Sequence, residues 1–495
     1  MQRAVLLAAT VLAGCTVGPD YKGPPAVASD VTARGVFVRA ADPALSPAPG
    51  LARWWEELSD AQLTALIEQA LENSPTIDQA TAKIREARAL LSQQRANRYP
   101  SISTSLSYIN ARLPGDSLSG AGTGDGDSTE GDPDAAGAAQ PSALSIDNYN
   151  LGLTASWEPD LFGGKRRAVE QAKATIAARF ADLADAQVSL TAKVAQAYVN
   201  LRDVQARIRL NDGSAALQQR QVTLTRQRYA GGTASLIDVE RFQNRLETTR
   251  ADAIPLGAQR DQYLDELAVY TGSTPGTLDA RLNAVAPVPL PPASVTIGNP
   301  AALIARRPDV RSAERMLAAN TAAIGLNKAK ELPGVRLLGL LGLGGSDPAD
   351  IVDLGKLTTL AAPTLSYNLL DFGAARARTR QSEAQRDAAN AQYRQTVLEA
   401  LQDAEDALSR FGNTRAQLGQ LGRAEASAVR AARLNEQRVA AGTSAVTDQL
   451  DIERQKLSAA IAVVRAKAQL TLAYIAVNKA LGLGWSDPAE SPVGR

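Results

Sequence analysis

The sequence of 495 residues predicts an α+β membrane protein that is built by internal duplication. Three observations lead to this fold class. One pattern occurs twice at a fixed distance, each copy contains two short segments in which apolar and polar residues alternate, and each copy ends in two long stretches of helical character. Each chain is therefore expected to contribute four β-strands and two long helical hairpins.

The duplication is clearest in two similar phrases. RYAGGTASLID begins at Arg228 and RVAAGTSAVTD begins at Arg438, which is 210 positions later, and Gly272 and Gly482 have the same spacing. Upstream, Pro75 and Pro308 are 233 positions apart, so the first copy holds about 23 extra residues. A stretch rich in Gly, Asp and Ser at residues 115–141 accounts for them, and it predicts an exposed loop.

These spacings divide the chain. Residues 52–285 form repeat 1 and residues 286–485 form repeat 2. A signal peptide at 1–14 and an N-terminal linker at 15–51 precede the repeats, and a tail at 486–495 follows them.

Strands are predicted at about 101–109 and 149–157 in repeat 1, and at about 335–344 and 360–370 in repeat 2. In YNLGLTASW, for example, Leu151 and Leu153 alternate with small and polar residues. A soluble protein would turn such an apolar face onto a core, whereas in an outer membrane it would face lipid, and these lengths suit tilted membrane strands. Four strands do not close a barrel and open edges are not tolerated in lipid, so several chains would have to share one barrel.

The long helices are predicted from stretches without proline. The first runs from about Lys165 to Arg228, on the order of 95 Å at 1.5 Å per residue, and small residues favour close lateral packing. The helices reverse at tips near 229–235 and 439–445, where glycines break them. We expect Thr233 or Ser235, and Thr443 or Ser444, to cap the returning helices. Taken alone, these segments would also suit a coiled-coil spacer.

Composition argues against several functions. Histidine is absent and Cys15 is the sole cysteine, which leaves no histidine-based triad, His-ligated metal site, disulfide within the chain or CxxC pair. The acidic residues lie mostly among Arg and Gln in helical stretches, which is typical of solvated helix faces. The formal charge of +1 does not favour nucleic acid. We therefore expect no enzyme, no metal and no cofactor.

The N-terminus predicts export. Arg3 precedes an apolar run that is too short to span a bilayer, and the run ends in Leu12-Ala13-Gly14-Cys15, which resembles the lipobox of bacterial lipoproteins. A covalent lipid is accordingly expected on Cys15, and Thr16 after it favours the outer membrane by the same resemblance. The alternative is an ordinary signal peptide with a chance cysteine. No later segment has about 18 uninterrupted apolar residues.

Motifs along the whole mature chain resemble the TolC/OprM-type outer-membrane efflux proteins, in their NodT-like lipoprotein branch. The motifs are CTVGPDYKGPP from Cys15, WWEELSDAQL from Trp54, the NSP break at Asn73, WEPDLFGGKRR from Trp157, RYAGGTASLIDV from Arg228, RRPDVRSAE from Arg306, LLDFGAARAR from Leu369 and KALGLGW from Lys479.

The resemblance implies a homotrimer in which four strands per chain form one twelve-stranded barrel and the helices form a periplasmic tunnel. Such a channel is the passive exit duct of a tripartite efflux system. Its partners would be a periplasmic adaptor and an inner-membrane pump, expected to be of the RND type. An outlet for protein secretion and a lipid-anchored coiled-coil spacer are the alternatives.

The resemblance also assigns roles to residues. The two tips would bind the adaptor through Arg228, Tyr229, Gly232 and Asp238 in the first hairpin and Arg438, Gly442, Thr443 and Asp448 in the second. Asp451 and Arg454 correspond to an acidic periplasmic gate and its arginine. Thr447 stands where the family often has a bulky apolar residue, so no hydrophobic seal is expected there. Repeat 1 has Arg241 at the position that corresponds to Asp451.

Overall fold

The computed structural model describes residues 16–113 and 144–485. They form two compact units. The first unit contains the described parts of Met1–Tyr21, Ala89–Ala172 and Asn320–Gln385, and the second contains those of Lys22–Arg88, Lys173–Ala319 and Arg386–Arg495. Each unit contains residues of both predicted repeats, so the repeats divide the sequence but do not correspond to the two structural units. The predicted signal peptide, Cys15, the 115–141 loop and the 486–495 tail lie outside the described residues.

Elements are numbered here in chain order. The α-helices are α1 (Ser29–Arg34), α2 (Ala61–Asn73), α3 (Pro75–Ala96), α4 (Gly164–Ala230), α5 (Leu236–Tyr270), α6 (Asp279–Leu282), α7 (Pro300–Arg306), α8 (Pro308–Ala329), α9 (Ala374–Ala440) and α10 (Val446–Ala480). The strands are β1 (Leu45–Ser46), β2 (Ser101–Leu113), β3 (Leu144–Trp157), β4 (Val295–Thr296), β5 (Gly334–Gly345) and β6 (Leu357–Ser366).

The four predicted long strands are present in the first unit as one antiparallel sheet. Its order is β2-β3-β5-β6, so each hairpin of the sheet comes from one repeat and β3 joins the two hairpins by pairing with β5. The register places Leu151 opposite Leu106 and Leu343, and it places Leu153 opposite Thr104 and Leu341. Within the described residues, β2 and β6 are the free edges of this sheet.

One face of the sheet is apolar and open to the surroundings. Because cross-strand partners share a face, the alternation predicted for single strands becomes a continuous surface. Its exposed members include Ile102, Leu106, Leu151, Leu153, Trp157, Leu337, Leu341, Leu357 and Leu365. Ile102 near one edge is 73% exposed and Leu365 on the other edge strand is 72% exposed. An apolar surface of this extent needs a partner that is not water.

The strand bounds differ from the predicted ones by more than one residue at four ends. β2 and β3 extend to Leu113 and Leu144, beyond the alternation, and polar side chains pair there: Asn110 Nδ2 donates to Asp147 Oδ1 at 2.7 Å. The segment predicted at 360–370 begins at Leu357 and ends at Ser366. It ends early because the Asp371 carboxylate accepts hydrogen bonds from the Gly373 and Ala375 amides and turns the chain into α9.

The second unit has a helical core. Large side chains are fully buried there, among them Trp54, Leu66, Ile67, Tyr198, Leu267, Phe411 and Tyr474. Tyr474 on α10 packs edge-on against Trp54 and donates a 3.1 Å hydrogen bond to its carbonyl oxygen. The motifs WWEEL and KALGLGW, which lie more than 400 residues apart in the sequence, therefore meet in this core, where Gly484 also approaches Trp54.

The break before Pro75 and its counterpart before Pro308 are both present. Asp60 caps α2 by accepting from the Gln62 and Leu63 amides, as the Ser59-Asp60 signal indicates. At the end of each long hairpin a glycine then packs against the break: Gly272 lies against Asn73 and Gly482 lies against Arg307. The same helix-breaking device is therefore used in both repeats.

Arg307 is a buried cation that joins several helices of the second unit. Its guanidinium donates to the Asp309 carboxylate at 2.6 Å, to Asp403 at 3.2 Å and to the Ala480 carbonyl at 3.0 Å. Burial lowers the pKa of Arg307, but the hydrogen bonds to Asp309 and Asp403 outweigh burial and raise the pKa overall. A buried charge is tolerated only with such partners.

Residues 22–51 are more than a linker. Phe37 and Ala44 are buried in the helical core, and the amides of Val38 and Arg39 both donate to the Glu405 carboxylate at 2.8 Å. β1 also pairs in parallel with β4. The N-terminal region is therefore fixed to the second unit along its length.

One helical segment, Asp451–Ala480, is long and apolar enough to cross a membrane by length and composition. Half of its most apolar window is buried inside the protein, and Tyr474, Ile475 and Val477 have no exposed surface. Arg465 and Lys467 interrupt the apolar run. Its hydrophobicity is therefore accounted for by the helical core.

Candidate functional site

The first tip is a glycine turn that closes the carboxyl end of α4. Gly232 has a φ of +71°, a left-handed conformation that favours glycine. Its amide donates to the Tyr229 carbonyl at 2.9 Å. The Thr233 amide and hydroxyl both donate to the Arg228 carbonyl, at 2.8 and 3.0 Å. The last carbonyls of the helix are thus satisfied, as in a Schellman-type ending.

Ser235 then begins the returning helix α5. Its hydroxyl accepts from the Asp238 amide at 3.2 Å, and the Asp238 carboxylate accepts from the Ser235 amide at 3.3 Å and the Ser235 hydroxyl at 2.6 Å. The two residues form a capping box. These bonds from Ser235 hold the pKa of the Asp238 carboxyl below its usual value. Asp238, predicted to bind a partner, therefore also stabilises the tip.

The second tip repeats the turn but not the cap. Gly442 has the same φ, and the Thr443 amide and hydroxyl donate to the Arg438 carbonyl at 2.9 and 3.1 Å. The N-cap of α10 is Ala445, which has no side-chain acceptor. The expectation that Thr443 or Ser444 caps α10 is wrong, because Thr443 serves the preceding helix and Ser444 donates to Asn435 Oδ1 at 2.7 Å.

We expect Ser235→Ala to weaken the first tip by about 1 kcal/mol, because the first turn of α5 loses its side-chain cap. Faster hydrogen exchange of the Asp238 amide, observed by NMR or mass spectrometry, would report this loss. Lowering the pH should weaken only the other half of the capping box: the bonds that Ser235 donates to the Asp238 carboxylate contribute fully above the ordinary carboxyl pKa and are lost as the pH falls through the lowered pKa of Asp238. The Asp448 amide is the internal control: the N-cap of its helix, Ala445, has no side-chain acceptor, so this amide should exchange equally in the wild type and in Ser235→Ala. Unchanged exchange at Asp238 would contradict the capping role.

Both tips present side chains to the surroundings. Tyr229, Leu236 and Ile237 are exposed at the first tip, which is an unusual setting for three large apolar side chains. The predicted residues of the second tip are also exposed, and the Arg438 guanidinium donates to the Thr443 carbonyl at 3.3 Å. Leu236 and Ile237 were not among the predicted binding residues. The sequence signal that would have identified them is a pair of large apolar residues directly after the capping Ser235, in a turn that is otherwise polar.

The predicted gate residues lie on the first three turns of α10. Asp451 Oδ1 is 3.8 Å from Arg454 Nη2, and their side chains are 68% and 57% exposed. An ion pair with this exposure contributes only about 0–1 kcal/mol within one chain. Thr447 lies in the first turn of α10, and its side chain lies outside the described part of the structure.

Asp451 also lines an open groove of about 730 Å³ with residues of α5. The α5 residues are Leu236, Ile237, Glu240, Arg241, Asn244 and Arg245. The acidic position of repeat 2 and its basic counterpart in repeat 1, Arg241, therefore share one groove. Arg245 adds a second guanidinium, whose buried Nη2 has no hydrogen-bond partner among the described residues. Sequence reasoning did not identify Arg245.

The tips and the groove expose charged and apolar side chains, which can bind another protein surface through ion pairs and apolar contacts. Within residues 16–113 and 144–485, no three His, Cys, Asp or Glu side chains are placed to share a metal ion.

Known proteins match the chain over nearly its whole length. The family model described as outer membrane efflux protein matches residues 66–273 and 299–483, one range in each predicted repeat. Outer membrane protein OprJ of Pseudomonas aeruginosa is 27% identical over 502 residues, which cover 99% of this chain and 98% of OprJ. Nodulation protein T of Rhizobium leguminosarum bv. trifolii is 26% identical and covers 97% of both chains. The solved outer-membrane channel OprN has a TM-score of 0.83 and 31% identity, covering 95% of this chain and 100% of OprN.

Proposed function

The chain belongs to the outer membrane efflux protein family, and from this premise we propose that it acts as a homotrimeric exit duct whose twelve strands close one barrel. The predicted fold class and general function are confirmed: the protein has the α+β fold of these channels and is an outer-membrane component of an efflux system. The trimer, its partners and the roles of single residues are the proposal.

The observation that carries the trimer is the four-stranded sheet with two free edges and an exposed apolar face. In lipid, the unpaired amides and carbonyls of β2 and β6 would each cost several kcal/mol, on the order of the cost of burying an unsatisfied polar group. Pairing β6 of one protomer with β2 of the next satisfies both edges. Three copies give twelve strands, and the apolar face then meets lipid all around.

The tips and the N-terminus supply the other contacts of the proposed assembly. A periplasmic adaptor would bind the exposed tip residues, with Tyr229 as an apolar anchor and with Arg228, Asp238, Arg438 and Asp448 as charged contacts. An inner-membrane pump, expected to be of the RND type, would supply the energy. A lipid on Cys15 would add membrane anchoring to that of the barrel.

The test is a pair of measurements on the purified mature protein. Light scattering in detergent should give the mass of three chains, and the same preparation should conduct ions in a planar bilayer in discrete steps. A folded monomer, or a trimer that never conducts, would overturn the proposed duct.

A further inference from the structure

The segment Thr16–Asp20 is held in the first unit by hydrogen bonds from both sides. The Val17 amide donates to the Phe162 carbonyl at 3.1 Å. In return, the Arg167 guanidinium on α4 donates to the Val17 and Gly18 carbonyls, each at 3.3 Å, and to the Asp20 carboxylate at 2.6 Å. A segment of five residues is thus bound at four points.

Glycines let the segment come close to the two elements beside it. A Cβ on Gly18, which has a φ of +93°, would lie 2.4 Å from the Gly325 Cα of α8. A Cβ on Gly325 would lie 2.6 Å from the Val17 carbonyl oxygen. Backbone therefore packs directly on backbone, and the segment fits between α8 and the turn that precedes α4.

Arg167 is the charged group at the centre of this arrangement. Only 4% of its side chain is exposed, and Glu170 on the same helix accepts its remaining bond at 2.7 Å. Burial lowers the pKa of Arg167, whereas the bonds to Glu170 and Asp20 raise it and prevail. A buried guanidinium that loses partners is strongly destabilised, so Arg167 and the segment depend on each other.

The second repeat lacks this arrangement. Arg167 corresponds to Ala377 at the spacing of 210, while Arg166 corresponds to Arg376. Phe372, the counterpart of Phe162, is 98% exposed, and apart from its chain neighbours no described residue has an atom within 4 Å of a Cβ built on Gly373. The buried arginine therefore occurs in the copy of the turn that receives the N-terminal segment and is missing from the copy that does not.

We propose that Thr16–Asp20 is a strap, clamped by Arg167, that joins the two repeats at the end of the sheet. It contacts repeat 1 just after β3, through Phe162 and Arg167, and repeat 2 in the helix that leads into β5, through Gly325. If Cys15 is acylated, as proposed above, the strap also holds the lipid one residue away from this junction. The strap itself depends neither on the lipid nor on the channel.

Hydrogen exchange of the Val17 amide tests the clamp in the full-length mature protein. In the wild type this amide should be protected. Arg167→Met keeps the apolar stem but removes every donor, and it should accelerate exchange by at least about tenfold, as expected for the loss of charge-assisted hydrogen bonds. The matched control is Arg166→Met, because the Arg166 side chain pairs with Asp160 at 3.7 Å, whereas the described hydrogen bonds from this turn of α4 to the strap come from Arg167.

Two more variants test the strap independently of Arg167→Met. Asp20→Asn leaves Arg167 in place and should give a smaller acceleration, so it decides the outcome if Arg167→Met fails to fold. Cys15→Ser, exported with a cleavable signal, should retain the wild-type protection. An unprotected Val17 in the wild type, equal exchange in all the arginine and aspartate variants, or loss of protection in Cys15→Ser would overturn the strap. Conductance measured on the same preparations reports separately on the proposed duct.

Discussion

Leu153→Arg is expected to destabilise the folded protein in a bilayer by about 2–4 kcal/mol, the cost of an arginine on the lipid face near the membrane midplane. Leu153 lies in the interior of β3, between Thr104 of β2 and Leu341 of β5, and its side chain is 48% exposed in the single chain. No described element covers this face. Urea titration of the protein folded into phospholipid vesicles, followed by tryptophan fluorescence, would measure the loss.

Thr154→Arg is the matched control, since it places the same charge one residue later on the opposite face. Thr154 pairs with Ser103 and Leu340, and Gly152, two residues earlier on the same face, carries no side chain. If this face lines water, the charge should cost little and should shift the selectivity of the pore toward anions. Similar destabilisation by both substitutions, or a larger loss for Thr154→Arg, would contradict the assignment of faces.

The strands could be predicted because period-two alternation is a local signal. Each of the four predicted segments overlaps one strand of the sheet, and the residues assigned to one face share it in the observed register. The extensions of β2 and β3 could not be predicted. They are held by pairs such as Asn110 with Asp147, whose polarity resembles that of a loop until the two strands are placed side by side.

The tips were predicted to within a residue or two, because a helix-breaking glycine marks a reversal wherever it stands. The caps depend on a finer detail. Ser235 corresponds to Ala445, so the serine of the second tip, Ser444, precedes the N-cap and is too early to cap α10. A serine beside a turn is therefore a weak signal until the first residue of the helix is known.

The groove and the N-terminal segment show the limit of sequence reasoning. Arg245 and Asp451 are more than 200 residues apart, and each alone looks like a solvated charge on a helix. Phe37 and Ala44 lie in a stretch rich in Pro and Gly that is typical of a linker, yet both are buried. Such contacts follow from how distant helices pack, which no local pattern encodes.

Asp451→Ala is expected to raise the resting conductance of the reconstituted channel by about ten- to a hundredfold. In the proposed trimer, three Asp451 carboxylates surround one axis, each 3.8 Å from Arg454 on its own helix and in the groove that Arg241 and Arg245 also line. One such exposed pair contributes at most about 1 kcal/mol. The pair with Arg454 of the same helix is present in the single chain and does not depend on the state of the channel. In the closed trimer we expect each Asp451 carboxylate to pair also with an arginine of the neighbouring protomer, and three such pairs would contribute about 1.5–3 kcal/mol together, which corresponds to the expected change in the ratio of open to closed channels.

The sign of the Asp451→Ala effect separates two roles of this carboxylate: a latch, meaning an ion pair that holds the tips closed, and a charge that only attracts cations. Arg454→Ala should also raise the conductance, because in the closed trimer it removes the arginine that would pair with Asp451 of the neighbouring protomer. Asp448→Ala is the matched control: it removes the same side chain one turn earlier on α10 and should leave the resting conductance unchanged. If Asp451 only concentrated cations, Asp451→Ala would lower the cation current and Arg454→Ala would raise it. A fall in conductance for Asp451→Ala would therefore overturn the latch while retaining the pore. The two roles predict changes of opposite sign: loss of a carboxylate that attracts cations lowers the current, whereas loss of an ion pair that closes the tips raises it.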